Sequence, residues 1–323
     1  MSVPTASEVL REAGRAVERD GRAVLCQIVR TEGSTPGKVG WKMLLRRGGG
    51  VFGNLGGGAF EALVKVDAAA KLAAADAGDA ADPGGEAASE VKRYYFTETA
   101  VKGEPTGRVC GGLSEVFLEL VSAPPVLVVC GGGPVGQALA RAGELAGFAT
   151  LVVEDREEFR DPARFPAATS IAAVDRDFRR PFLAERRHHD LHVAVVTRCW
   201  ETDTAALASV LAQAPPGLRY LGLMGSRRKV ARVVHDLEAR GHSLDGVDLR
   251  APIGLPIGGD SPGEIAISIL AEVLQVRHRR GQEAEGLDDD VWPAAHPAAG
   301  EETDDDPEAA TAAGRARPEV MRA

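Results

Sequence analysis

The chain has 323 residues, 44% hydrophobic and 26% charged, the balance of a water-soluble globular protein with room for two domain cores. The formal net charge of −9 is uneven: residues 281–323 carry twelve Asp/Glu and three Arg, while the first 280 residues hold 35 acidic and 35 basic groups. A body without net charge gives no case for nucleic acid as a partner, no apolar run reaches membrane-spanning length, and the N-terminus lacks the basic start and apolar core of a signal peptide.

The cysteines at 26, 110, 130 and 199 are too scattered for a disulfide framework and include no C-x-x-C, so a reducing cytoplasm is the expected setting. Residues 7–19 place Val9, Leu10, Ala13 and Val17 on one helical face. AVLCQIVR (23–30) reads as a strand, TEGSTPGKVG (31–40) as a loop, and WKMLL (41–45) and VFGNL (51–55) as further strands. Gly56, Gly57 and Gly58 then open a strong helix pattern, AFEALVKVDAAAKLAAA (59–75). Free backbone N–H groups at such a start favour an anion; a close-packed turn is the plainer alternative. Residues 77–89 are low in complexity and read as a surface loop, and VKRYYFTE (91–98) resumes a strand.

In GRVCGGLSEVFLELV (107–121), Cys110 precedes two glycines, which suits a turn that exposes the thiol; a small buried hydrophobe is the other reading. Cys26 and Cys130 lie inside apolar runs and are expected to pack. Ala123-Pro124-Pro125 marks a boundary, giving an N-terminal α+β domain over 1–122 and a second domain over 126–280.

The second domain opens with VLVVCGGGPVGQALARAGELAGFATLVVED (126–155), a strand, turn, helix and strand in which Gly131, Gly133 and Gly136 fall on the G-x-G-x-x-G template. The first glycine makes the tight turn, the second lets backbone approach a pyrophosphate, and the third lets helix pack on strand. Asp155 stands where a ribose-binding acid belongs. SIAAV (170–174) and LHVAVVT (191–197) read as parallel strands, the second ending at Thr197-Arg198, where open α/β sheets present ligand contacts. The next helix is expected to begin near Asp203. His188, His189 and His192 beside Arg186 and Arg187 read as an exposed basic stretch.

LRYLGLMG (218–225) is a strand, and Ser226 is the expected N-cap of the helix after it. Arg227, Arg228 and Lys229 put positive charge at the positive end of that helix; a bound phosphate reverses the sign, and side chains turned to water are the alternative. LRAPIGLPIGGDSPGEIAISILAEVLQVRH (249–278) ends in a helix apolar nearly all round, destined for the core or a subunit interface, so a homodimer is expected. Its polar stripe, Glu264, Ser268 and Glu272, faces a cleft or solvent. The fold class is thus α/β: an α+β domain, a Rossmann-like doubly wound parallel-sheet domain, and a disordered acidic tail over 281–323.

The separated segments GSTPGKVGWKMLL (33–45), GNLGGGAFE (53–61), CGG (110–112), the GGGPVG turn, YLGLMGSRRK (220–229) and APIGLPIGGDSPGEIAISILAE (251–272) resemble one family in order and spacing, the xanthine dehydrogenase accessory factors of the XdhC/CoxI type. The resemblance covers roughly residues 7–278. It implies a factor that binds the molybdenum cofactor (molybdopterin or its dinucleotide form) and assists exchange of its terminal oxygen for sulfur. The factor then delivers the cofactor to a molybdenum hydroxylase apo-enzyme, with a cysteine desulfurase as sulfur source. Carried over, Gly56, Gly57, Gly58 with Glu61, and Gly131, Gly133 and Gly136 are cofactor contacts, and Arg227 and Arg228 receive a phosphate. Cys110 is the candidate molybdenum ligand or sulfur relay.

The chain departs from the family pattern at Thr197-Arg198-Cys199-Trp200, where Thr-Arg-Gly-His is usual, at Gly37-Lys38, and at the 77–89 insertion. Two other readings stand beside this one. One is an NAD(P)-dependent oxidoreductase using the same glycines with Asp155 on the ribose, although neither a tyrosine–lysine pair nor a His–acid dyad is visible. The other is a scaffold bridging desulfurase and hydroxylase.

Overall fold

The computed structural model describes residues 4–77, 88–96, 104–105, 112–167 and 169–282. Cys110, most of the 77–89 insertion and the acidic tail beyond Gln282 lie outside the described residues.

The first half is an antiparallel sheet with a helix on each face. Helix α1 (Ala6–Asp20) starts at Thr5, whose side chain and Glu8 form a capping box, and stops at Gly21. Strands β1 (Arg22–Gly33), β2 (Lys42–Arg46) and β3 (Val51–Gly53) lead into α2 (Gly58–Ala77), followed by β4 (Ser89–Tyr95), β5 (Glu104–Pro105) and β6 (Gly112–Ser122). The strand order is β3-β2-β1-β6-β4-β5. Alternation along β1 sends Val24, Cys26 and Ile28 to α2, where they meet Phe60, Val64 and Ala68, and sends Ala23 and Leu25 to α1, where they meet Val9, Ala13 and Ala16.

The second half is a parallel sheet built from β7 (Val126–Cys130), β8 (Ala149–Glu154), β9 (Ser170–Ala173), β10 (Leu191–Val195), β11 (Leu218–Leu223) and β12 (Leu249–Arg250). Its order, β12-β11-β10-β7-β8-β9, is the doubly wound arrangement in which chain direction across the sheet reverses beside β7. Every strand residue of β7 and β10 is buried, which explains their unbroken apolar sequences. Helices α3 (Pro134–Leu145) and α6 (Pro262–Gln282) cover one face, and α4 (Trp200–Gln213) and α5 (Arg227–Ala239) the other.

The halves meet through charge. Arg22 of β1 pairs with Asp190 (2.5 Å) and lies 3.7 Å from Asp76, Arg219 of β11 donates to Asp190 (3.0 Å) and to the Asp76 carbonyl (3.0 Å), and Arg47 clamps Asp76 through both nitrogens (2.6 and 2.5 Å). This joint lies where α2 ends and where β10 and β11 begin. Among the described residues no helix is long and apolar enough to cross a membrane.

Two sequence expectations are corrected. The histidines are not an exposed stretch: His189 and His192 are buried, and His192 packs edge-on against Phe148 inside the sheet. The polar stripe of α6 does not face water throughout. Glu272 is 2% exposed and accepts from the Tyr220 hydroxyl (2.5 Å) and from the Gly254 N–H (2.8 Å), and Ser268 donates to the Leu255 carbonyl (2.6 Å). The stripe clips the 251–261 loop to the helix, while Glu264 closes a capping box with Ser261.

Candidate functional site

The crevice at the carboxyl ends of β7, β8 and β10 is where a doubly wound sheet takes its ligand. Cys130, the last residue of β7, lies level with Val153 of β8 and Val195 of β10. The chain then turns through Gly131 at φ +121, a left-handed conformation only glycine adopts readily, with its N–H on the Val153 carbonyl (2.9 Å). A side chain at Gly131 would collide with the Val196 carbonyl, and one at Gly136 with the Gly131 carbonyl. These two glycines therefore face the protein itself. Gly133, the N-cap of α3, is the one whose missing side chain points to open space, with nothing within 4 Å. The first intrahelical bond runs from Gln137 N–H to the Gly133 carbonyl (2.9 Å), so the Val135 and Gly136 amides start the helix without intrahelical partners.

Acids and arginines fill the rim. Spacing assigns the ribose position to Asp155; Glu154, one residue earlier, is the acid that turns to the glycine loop. Glu154 is 1% exposed and accepts from the Gly132 N–H (2.6 Å), the Arg156 N–H (3.0 Å) and the Arg156 guanidinium (3.0 and 3.1 Å). Asp155 instead takes both guanidinium nitrogens of Arg198, at 2.8 and 2.9 Å. Burial pushes the Asp155 carboxyl up, and Arg198 more than offsets this, holding it at about 2.

Thr197 is committed inward. Its hydroxyl donates to Asp203 (2.6 Å) and lies 2.6 Å from the Thr202 hydroxyl, and the fully buried Asp203 pairs with Lys229. Burial pushes the Asp203 carboxyl above its ordinary value against the opposing pull of Lys229 and Thr197. Lys229 also donates to the Met224 carbonyl (3.1 Å), so the loops after β10 and β11 are tied together. Ser226 caps α5 by accepting from the Lys229 N–H (3.3 Å). Arg227 and Arg228 remain exposed, and among the described residues neither pairs with a carboxylate. The helix α4 begins at Trp200, three residues before the expected Asp203, because Cys199 takes the N-cap position.

The other glycine turn is closed. Glu61 accepts from the Leu55 N–H (3.1 Å) and the Gly57 N–H (3.3 Å), and Asn54 accepts from the Gly56 N–H. The Gly56 and Gly57 amides are therefore not free for an anion, and the close-packed turn is the alternative the structure shows there, with the chain's own carboxylate in the anion's place. Packing does bring the sequence segments around it together, since side chains at Gly37, Gly56 and Gly112 would strike Leu55, Pro36 and Ser34. The two turns stand at the far ends of elements that meet at the Asp76–Arg219 joint. Helix α2, 20 residues and about 30 Å long, leads to it from one turn, and the parallel strands lead from it to the other.

At the carboxyl ends of the parallel strands the chain thus offers an open helix start at Gly133, exposed Arg227 and Arg228 at the start of α5, and Arg198 held by Asp155, groups suited to phosphate. Sequence reasoning missed the buried acceptor role of Glu154 and the pairing of Lys229 with Asp203. Burial pushes the Cys26 thiol up to about 12 and the Cys130 thiol up as well, so both are packing residues as expected. Among the described residues no group of three His, Cys, Asp or Glu could hold a metal ion.

Residues 127–273 match the family model for the XdhC Rossmann domain, and residues 16–78 match that for the XdhC and CoxI family. The chain is 32% identical over 273 residues to the uncharacterized protein YqeB of Escherichia coli (strain K12), covering 84% of this chain and 46% of that protein. It is 28% identical over 167 residues to a probable xanthine dehydrogenase subunit from Bacillus subtilis (strain 168), covering 51% and 47%. The chain therefore spans about half the length of these curated relatives. Among solved structures it is similar to a Bacillus halodurans protein described as a xanthine dehydrogenase, with 21% identity, a TM-score of 0.41, and 84% of this chain and 96% of that chain covered. An NAD+-bound imine reductase variant from Myxococcus stipitatus gives 23% identity and a TM-score of 0.26 over 39% and 40%.

Proposed function

The chain belongs to the XdhC and CoxI family, and from that premise we propose that it is a maturation factor for a xanthine dehydrogenase-type molybdenum hydroxylase. Its cargo is the molybdenum cofactor, held by the phosphate end in the crevice beside β7. The observation that carries this is the open helix start at Gly133; Arg227 and Arg228 at the start of α5 support it as exposed cations in a helical turn that disfavours them unless an anion is present. The Val135 and Gly136 amides would hold the phosphate, and the Ser226 hydroxyl and the arginines would orient it. The sulfur-for-oxygen exchange, the desulfurase as sulfur donor, a homodimeric state and the chemical part played by Cys110 belong to the same proposal.

Co-purification tests it. The chain expressed in a host that makes molybdenum cofactor should retain pterin, measured by mass spectrometry of the released ligand, and Arg227→Ala/Arg228→Ala should lose most of it. Recovery of the wild-type chain free of pterin overturns the reading. Cys110→Ala should leave pterin retention intact and lower the activity of a co-expressed hydroxylase; unchanged activity excludes the thiol.

The doubly wound strand order favours a second reading, a nicotinamide-dependent oxidoreductase. Glu154 weighs against it. The acid that would bind ribose hydroxyls already accepts from Gly132 and Arg156. Tight NADH binding without pterin retention would decide for the second reading.

A further inference from the structure

Asp155 and Arg198 come from the two strands that flank β7, one residue beyond Glu154 at the end of β8 and one beyond Thr197 after β10. Those strands are about 9–10 Å apart, so the pair must arch over the end of β7, which is the Gly131–Gly133 turn. The contact is bidentate, 2.8 and 2.9 Å, the fork geometry a guanidinium offers equally to carboxylate and to phosphate. The Arg198 side chain is 34% exposed, so the pair adds little to folding.

What lies directly behind each partner is anchored independently. Glu154 is locked by Gly132 and Arg156, and Thr197 by Asp203, which Lys229 holds in turn. Asp155 also lies 4.0 Å from the Arg156 guanidinium and so borders the Glu154 network, while its bidentate contact is with Arg198. Both flank β7, whose turn carries Gly133, where a side chain would meet open space.

We propose that Asp155 is a built-in competitor for the ligand's phosphate: it holds Arg198 across the mouth of the crevice, and a ligand binds by taking Arg198 from it. This rests on the phosphate seat proposed above. Without ligand the Asp155–Arg198 pair is itself neutral and that guanidinium is engaged. A weakly charged molecule cannot displace a carboxylate held at two points, whereas a pyrophosphate or a dianionic phosphomonoester can, because it brings more charge and also meets the Gly133 helix start. Asp155 is then a specificity-determining residue that sets a charge threshold for entry. The ion pair opens as the ligand's own Arg198 contact forms.

The test is calorimetric titration of the full chain with inorganic pyrophosphate at fixed low salt. Asp155→Asn should bind at least tenfold tighter than wild type, Arg198→Met clearly weaker, and the double variant no tighter than Arg198→Met alone. Glu158→Gln, which removes one exposed acid from the adjoining loop, should change affinity less than twofold. Melting curves would verify that each variant folds. An unchanged or weaker Asp155→Asn overturns the competitor, as does an equal gain from Glu158→Gln or from Asp155→Asn in the Arg198→Met background. The phosphate seat survives those results. If neither wild type nor Asp155→Asn binds pyrophosphate, the seat and the competitor fall together.

Discussion

The two glycine-rich turns are nearly alike in sequence and opposite in what they leave available. At Gly56–Gly58 the first turn of α2 contains Glu61, which folds back onto the Leu55 and Gly57 amides, so the helix neutralises its own positive end. At Gly131–Gly136 the first turn of α3 contains no acid. The carboxylate there, Glu154, comes from the neighbouring strand and takes only Gly132, behind the helix start. A glycine-rich turn followed by an acid within the next helical turn is therefore a self-capped start. One followed by Pro134-Val135-Gly136 has no carboxylate of its own helix to cap its first amides.

The largest effect expected separates packing from capping. Gly136→Ala would drive a methyl group into the Gly131 carbonyl and should cost about 3 kcal/mol or more by urea unfolding. Gly57→Ala, with open space around it but φ +73, should cost only about 1 kcal/mol.

Acid should separate the two halves. All seven histidines follow residue 187, so the antiparallel half has none. In the parallel half, burial lowers His192 from 6.5 to about 4. The unfolded chain therefore binds a proton that the folded chain refuses between these values. Stability should fall by roughly 3 kcal/mol as pH drops from 6.5 to 4. His192→Leu should flatten that part of the pH–stability curve; an unchanged slope would assign it elsewhere.

The two carboxylates should also differ. Glu154→Gln weakens a buried acceptor that pairs with Arg156 and should cost about 2–3 kcal/mol. Glu61→Gln changes a helix cap and should cost about 1 kcal/mol. Equal losses in urea titrations would erase the distinction between the turns. The smallest stability change is expected of Gly133→Asp. It adds an N-cap side chain in open space and should stabilise by a few tenths of a kcal/mol, while abolishing pterin retention by placing a carboxylate in the phosphate position.

The architecture was legible because apolar runs of strand length alternate with glycine and proline punctuation, as in VLVVCGGGP. The register was not. Choosing between Glu154 and Asp155 depends on which residue of β8 lies level with Cys130, and a shift of one residue reverses which side chain turns inward. His192 looked exposed because its neighbours are basic, yet it occupies an alternating position in a strand buried on both faces. Lys229 looked like a phosphate ligand because its fully buried partner, Asp203, belongs to a different helix. Glu61 was legible in principle, since its spacing from Gly58 is that of a self-cap.

The Glu272 clip has a consequence for how the protein is made. Tyr220 and Gly254, which shape one wall beside β11, both depend on a carboxylate that leaves the ribosome after them. Until residue 272 emerges, the Tyr220 hydroxyl and the Gly254 N–H lack the acceptor that joins them, so the 251–261 loop is fastened only after all the strands of the parallel sheet have been synthesised.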